Sequence, residues 1–267
     1  MLIGDHGLNV LQPGKSETSV LRRTFMRVLL MLTILSISIP IVYGQEPSAK
    51  KPSRTELITQ VQSSNVEERM NAFEQLRSDP VALRDPQVKS ALVSLLDHEN
   101  HEPVSGDEED YADYTSWLAD TVAKLVDWSD PHQVCILANS SDLPDELADH
   151  AKVTIPCLLQ RSRSISLQDR DQGNVVSMLV QSLAKGRTSV DAATIQTVDQ
   201  VIASALNNPN KNVKIPTILA LKDFGGKEMI PSLRVVAESD PDPSEGYAIR
   251  KWASQAISAI QTRTGQN

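Results

Sequence analysis

The sequence predicts an all-α protein, a solenoid of stacked antiparallel helix pairs preceded by a signal segment that is cleaved on export. Apolar residues recur at helical spacing in several windows, and similar local patterns return roughly every 35–40 residues. The N-terminal region carries a basic stretch followed by an apolar run.

A chain of 267 residues with 40% hydrophobic content has enough apolar material for a genuine core. Aromatic residues make up only 4%, so Ala, Leu, Ile and Val supply most apolar positions, a mix that suits closely packed helices better than strands. The formal charge is -8 and the isoelectric point is near 5.2, so the surface repels a phosphate backbone. Nucleic acid is excluded as an expected partner on that ground, and an anionic membrane surface is disfavoured.

The first 44 residues read as a signal peptide. Arg22, Arg23 and Arg27 precede an apolar run from Val28 to Val42, and Val42-Tyr43-Gly44 offers a cleavage site before Gln45. Pro40 breaks the apolar helix just before that point. The rival reading is an uncleaved anchor, but the run is shorter than the roughly 20 apolar residues that span a bilayer. No integral span is expected in the mature protein, which is then periplasmic or secreted. Arg22-Arg23-Thr24-Phe25-Met26-Arg27 is similar to a twin-arginine export motif, while Met26 is an alternative start for an ordinary secretory signal. Removing the net +2 of this segment takes the charge from -8 to -10. Residues 45–54 form a polar, Pro-bearing linker, and the folded domain covers 55–267, with helix expected from near Thr55.

Within that domain Val88, Ala91, Leu92, Leu95 and Leu96 form one helical stripe. Val213, Thr217, Ala220, Leu221 and Phe224 form another, with Asn212 as the capping type and Gly225-Gly226 as the stop. Ile249, Trp252, Ala253, Ala256, Ile257 and Ile260 form a third, and Trp117, Val122 and Leu125 repeat the spacing of Trp252, Ile257 and Ile260. Ile155-Pro156-Cys157-Leu158 matches Ile230-Pro231-Ser232-Leu233, and Ile195 falls between them. The series 155, 195, 230 and 175, 213, 249 run in parallel, offset by about 20 residues, room for one helix and a turn.

This alternation resembles HEAT repeats, most closely through Asn212-Val213-Lys214, Ala220-Leu221, Gly225, Ile230-Pro231, Leu233, Asp240 or Asp242, and Ile249-Arg250 before Ala253. The likeness runs from Val175 to Ile260 and more loosely over Thr55 to Arg161. Ile215-Pro216 and a long acidic stretch before Trp117 depart from it. Tetratricopeptide repeats fit less well, because their period is about 34 residues and their pattern is richer in aromatics. The resemblance implies right-handed stacking of helix pairs whose concave face binds protein segments.

Candidate sites are few. Asp97-His98-Glu99-Asn100-His101-Glu102 gathers zinc-ligand types, but two His three residues apart lack the spacing of a helical zinc site. The stretch reads first as a solvated polar loop. Asp107, Glu108, Glu109, Asp110 and Asp113 offer oxygens for a hard cation without a Gly-centred loop, and read equally as charges at a helix N-terminus. No metal site or cofactor is assigned; His98, His101, Asp107 and Asp110 are the side chains that would form such a site.

Cys135 and Cys157 are the only cysteines, and either a disulfide or two buried thiols is open to them. If their helices pair about Ser140 to Leu143, Cys157 overshoots Cys135, so bonding requires shifted boundaries or a kink at Pro156. Trp117 and Trp252 are expected in the core, while Lys214, Arg250 and Lys251 are structural or solvating. No catalytic motif is present, and His132 and His150 stand alone.

The expected function is that of an exported, non-catalytic scaffold or adaptor that binds a protein partner, with an acidic rim selecting basic ones. A metal-dependent or lyase-like accessory protein using residues 97–113 is one alternative. A structural spacer of the cell envelope is the other.

Overall fold

The computed structural model describes residues 52–101, 108–140, 142–164, 169–239 and 246–265. The chain divides into Met1–Lys51 and Pro52–Asn267, and every described residue belongs to the second unit. The signal and most of the linker therefore lie outside the described residues.

The described residues form helices joined by turns and short irregular connections, with no strand. The α-helices are α1 (Arg54–Gln60), α2 (Val66–Arg77), α3 (Pro86–His101), α4 (Glu108–Ala123), α5 (Pro131–Ala138) and α6 (Ala151–Ser162). They continue as α7 (Asp169–Gly186), α8 (Ala192–Leu206), α9 (Lys211–Phe224), α10 (Ile230–Ser239) and α11 (Gly246–Thr264). No helix among the described residues is long and apolar enough to cross a membrane.

Local chemistry fixes the helix starts. Ser53 opens α1 with a reciprocal capping box, its hydroxyl accepting from the Glu56 N–H while the Ser53 N–H donates to the Glu56 carboxylate. Asn65, Asp130, Asp191 and Asn210 cap α2, α5, α8 and α9 through their side-chain oxygens, and Pro131 takes the first position of α5. The cap of α9 is thus Asn210, two residues before the expected Asn212. Asn210 accepts from the Asn212 N–H, so the earlier residue provides the acceptor and the later one lies inside the helix.

The stripe on α3 is buried at all five positions from Val88 to Leu96, and each Leu so placed contributes ~1.5–3 kcal/mol relative to exposure. On α9 the stripe is buried up to Leu221, but Phe224 stands 37% exposed at the helix end. Trp117 corrects the sequence reading more sharply. It is 42% exposed on α4, because the buried face of that helix is carried by Tyr114, Leu118, Thr121 and Val122. The indole takes the Arg77 guanidinium 4.5 Å from its ring centroid instead, and Trp252 is half-buried against the core.

Many consecutive helices pack together, and so do several alternate ones. In the C-terminal half α6 contacts α8 and α8 contacts α10, while α7 contacts α9 and α9 contacts α11. Ile155, Ile195 and Ile230 fall on α6, at the start of α8 and at the start of α10; Val175, Val213 and Ile249 fall on α7, α9 and α11. The α7–α9 crossing is close at Gly173, where a Cβ would lie 2.4 Å from the Asn212 carbonyl oxygen and 3.1 Å from Pro216 Cγ. Pro216 has no N–H, so it leaves that Asn212 carbonyl without its helical donor, and the glycine gives it room.

Cys135 on α5 is bonded to Cys157 on α6, with their Cα atoms 5.0 Å apart. The shift this needs comes from the connection. A 3-10 segment spans Asp145–His150 and α6 begins only at Ala151, so the link between the two helices is longer than a turn at Ser140 to Leu143. Arg161 ties the same pair together, donating from Nη1 to the carbonyls of Ala138 (2.7 Å) and Ser140 (2.6 Å) at the end of α5. Burial pulls its pKa below the ordinary arginine value, against the charge of Asp171.

Candidate functional site

A cleft of about 550 Å³ opens at the C-terminal ends of α7, α9 and α11. Val180 and Leu183 of α7, Ile202 of α8, Leu221 of α9 and Met229 form its apolar floor, and all five are buried. Phe224 stands at the mouth with Asp223 and Lys227, which are exposed.

Three helix C-termini bring the negative ends of their dipoles to this place. Arg263 of α11 answers part of that charge, donating to the carbonyls of Lys222 (3.0 Å) and Gly225 (2.6 Å) at the end of α9. Arg187 is committed to the Glu228 carboxylate.

Asp199 projects into the cleft from α8. The Asp191 cap, which accepts from the Thr194 N–H at 2.9 Å, starts α8 so that Ile195, Val198, Asp199 and Ile202 share one face. Asp199 is half-buried, and its Oδ1 is shielded from solvent without a hydrogen-bond partner. Burial pushes its carboxyl pKa above the ordinary value, opposed by the charge of Arg187 and assisted by that of Glu228. The cleft therefore offers apolar walls, an aromatic edge and an under-satisfied carboxylate, which is binding chemistry.

The stretch Asp97 to Glu102 is not a solvated loop over its described length. Helix α3 runs through His101, and Glu99 is 4% exposed. Its Oε1 accepts from Arg69 Nε at 2.7 Å and from the Tyr114 hydroxyl at 3.1 Å, and its Oε2 accepts from the Tyr111 hydroxyl at 2.7 Å. Burial, followed by the charge of Glu99, raises the Tyr114 pKa well beyond the usual phenol range. The polar stretch folds because these partners from α2 and α4 replace the water that Glu99 loses.

His98 and His101 stand in the last turn of α3, and the His101 ring pairs with Asp97 through Nδ1, 2.7 Å from the backbone oxygen and 3.5 Å from Oδ1. Asn100 reaches the other way, donating to the Ile136 carbonyl at 2.8 Å. Asp107 and Glu102 lie outside the described residues, as does the side chain of Asp110, whose backbone is in the first turn of α4. Among the described residues no three His, Cys, Asp or Glu side chains come together as a metal site would require. His132 is exposed on α5, while His150 stacks on Trp128 with ring centroids 3.9 Å apart. Lys214 is buried in α9, and Arg250 and Lys251 lie on α11.

Sequence reasoning did not name Asp199, placed Phe224 in a core-facing stripe and counted Glu99 only among the zinc-ligand types of a polar stretch. The signal was there: Asp199 occupies the i+4 position of a stripe that starts at Ile195, and Glu99 extends the stripe that ends at Leu95 and Leu96. Comparison with known proteins found no family model and no curated relative that matches the chain.

Proposed function

We propose that this protein is an exported, non-catalytic scaffold whose helix pairs stack as HEAT-like repeats and hold a segment of a partner protein. The observation that carries the reading is the alternation of contacts, with α6, α8 and α10 in one series and α7, α9 and α11 in the other. Each series places the residues of one sequence repeat at corresponding helices, which is how a stacked two-helix unit builds a continuous core. The cleft at the ends of the second series supplies a concave, apolar surface of the kind a purely structural spacer lacks. The Cys135–Cys157 bond accords with an oxidising compartment and so with export.

Of the acids in residues 97–113, Glu99 is not free to serve the metal-dependent alternative, because it is engaged by Arg69 and two tyrosines. A crosslinking pull-down with the tagged full chain, read by mass spectrometry, tests the scaffold reading. One reproducible protein partner with crosslinks on α7 to α11 supports it. A stoichiometric metal or small molecule in place of a protein partner overturns it.

A further inference from the structure

We propose that the cleft bounded by α7, α8, α9 and α11 receives a basic side chain of a partner segment, with Asp199 as its counter-charge and Phe224 as its aromatic wall. This deepens the protein-binding reading and rests on it.

Four observations select that occupant. The Asp199 Oδ1 is withdrawn from solvent without a donor, so the group lacks compensation that an ammonium or guanidinium supplies. Of the cations that line the cleft, Arg187 is held by Glu228 and Arg263 by the carbonyls that end α9, while Lys227 stands at the exposed rim. The dipole ends of three helices add negative potential and disfavour an anion. Phe224 presents an exposed ring to a cation, and the floor of Val180, Leu183 and Ile202 suits the aliphatic stem that Lys and Arg carry. An uncharged apolar side chain would fill the floor and leave the Asp199 Oδ1 without a donor.

Binding is also linked to protons. Burial raises the proton affinity of the Asp199 carboxyl and a bound cation lowers it, so the hold on a basic side chain weakens as the pH falls. The other charged groups that face the cleft are Arg187, Asp223, Lys227, Glu228 and Arg263. Asp223 and Lys227 are at the exposed rim, and the remaining three are held in the contacts given above.

The test uses fluorescein-labelled Gly-Leu-Lys-Lys-Leu-Gly and its Gln-Gln counterpart, titrated with the full chain and read by anisotropy. The lysine peptide is expected to bind about tenfold more tightly. Asp199→Asn abolishes that preference, Phe224→Ala reduces it, and Asp120→Asn, which removes an exposed acid on α4, leaves it unchanged. Equal binding of the two peptides, absence of binding, or an equal loss in Asp120→Asn overturns the proposal, the last by showing general attraction to an acidic surface. If Asp199→Asn loses helical content, titrating both peptides against the unaltered chain at descending pH decides, since a lysine preference that does not weaken as carboxylates take up protons contradicts the assignment. A partner retained in the pull-down while this peptide preference fails would sink the Asp199 site alone and leave the scaffold reading standing.

Discussion

Arg69 donates from Nε to Glu99 Oε1 at 2.7 Å, and both side chains are almost wholly withdrawn from water. The pair joins α2 to the end of α3, and the two tyrosine hydroxyls on Glu99 bring in α4. Glu99→Ala leaves the guanidinium and both phenols facing an apolar void, and is expected to cost about 3–5 kcal/mol. Replacing the pair together, as Arg69→Met with Glu99→Leu, is expected to recover most of that loss. Urea unfolding of the two variants checks it, and equal destabilisation by both would contradict the account.

A cross-link that closes a sequence separation of 22 residues restricts the unfolded chain by about 3 kcal/mol. Cys135→Ser with Cys157→Ser is therefore expected to lower stability by that order while keeping the helical content. Comparing thermal unfolding of the native chain with and without reductant, followed by circular dichroism, gives the same contrast without a mutation.

Gly173→Ala should be costly despite the better helix propensity of alanine. Its methyl would meet the Asn212 carbonyl oxygen at 2.4 Å, so α7 and α9 must separate. Overpacking of this kind costs ~1–3 kcal/mol. An unchanged melting temperature would show that the two helices do not cross as closely as described.

The folded pKa of Asp199 lies above its ordinary value of 3.8, so the folded state holds the proton to higher pH than the unfolded chain. That contribution to stability is fully present below the unfolded pKa and is lost as pH rises through the folded one. Asp85, Asp127 and Asp191 shift the opposite way, lowered mainly by hydrogen bonds, and lose their contribution as pH falls. Asp199→Asn is accordingly expected to stabilise the free protein at neutral pH, with the gain shrinking on acidification. A gain that grows toward acid pH would contradict the assigned direction.

Much of the fold could be read from the sequence because helix periodicity is a local property. The stripe from Val88 to Leu96 and the residue series at 155, 195, 230 and 175, 213, 249 fall on the helices described. What stayed hidden depends on partners distant in sequence. Glu99 looks like one more polar residue in Asp97 to Glu102 until Arg69, 30 positions earlier, and Tyr111 and Tyr114 are placed around it. Trp117 belongs by spacing to a core face and is left outside because Tyr114, Leu118 and Val122 already fill the interior. Asp199 shows the same limit, since its position in an apolar stripe is visible but the cleft beside it is made by the ends of three other helices.

The most direct test of a partner-binding scaffold is photo-crosslinking of the full chain with p-benzoylphenylalanine placed at Phe224, and in a parallel sample at Val81, which is 65% exposed and lies between α2 and α3. The account predicts one dominant protein adduct at Phe224, mapping to a Lys- or Arg-bearing segment of the partner and missing from the Val81 sample. The same adducts from both positions, or no protein adduct at Phe224, would contradict it.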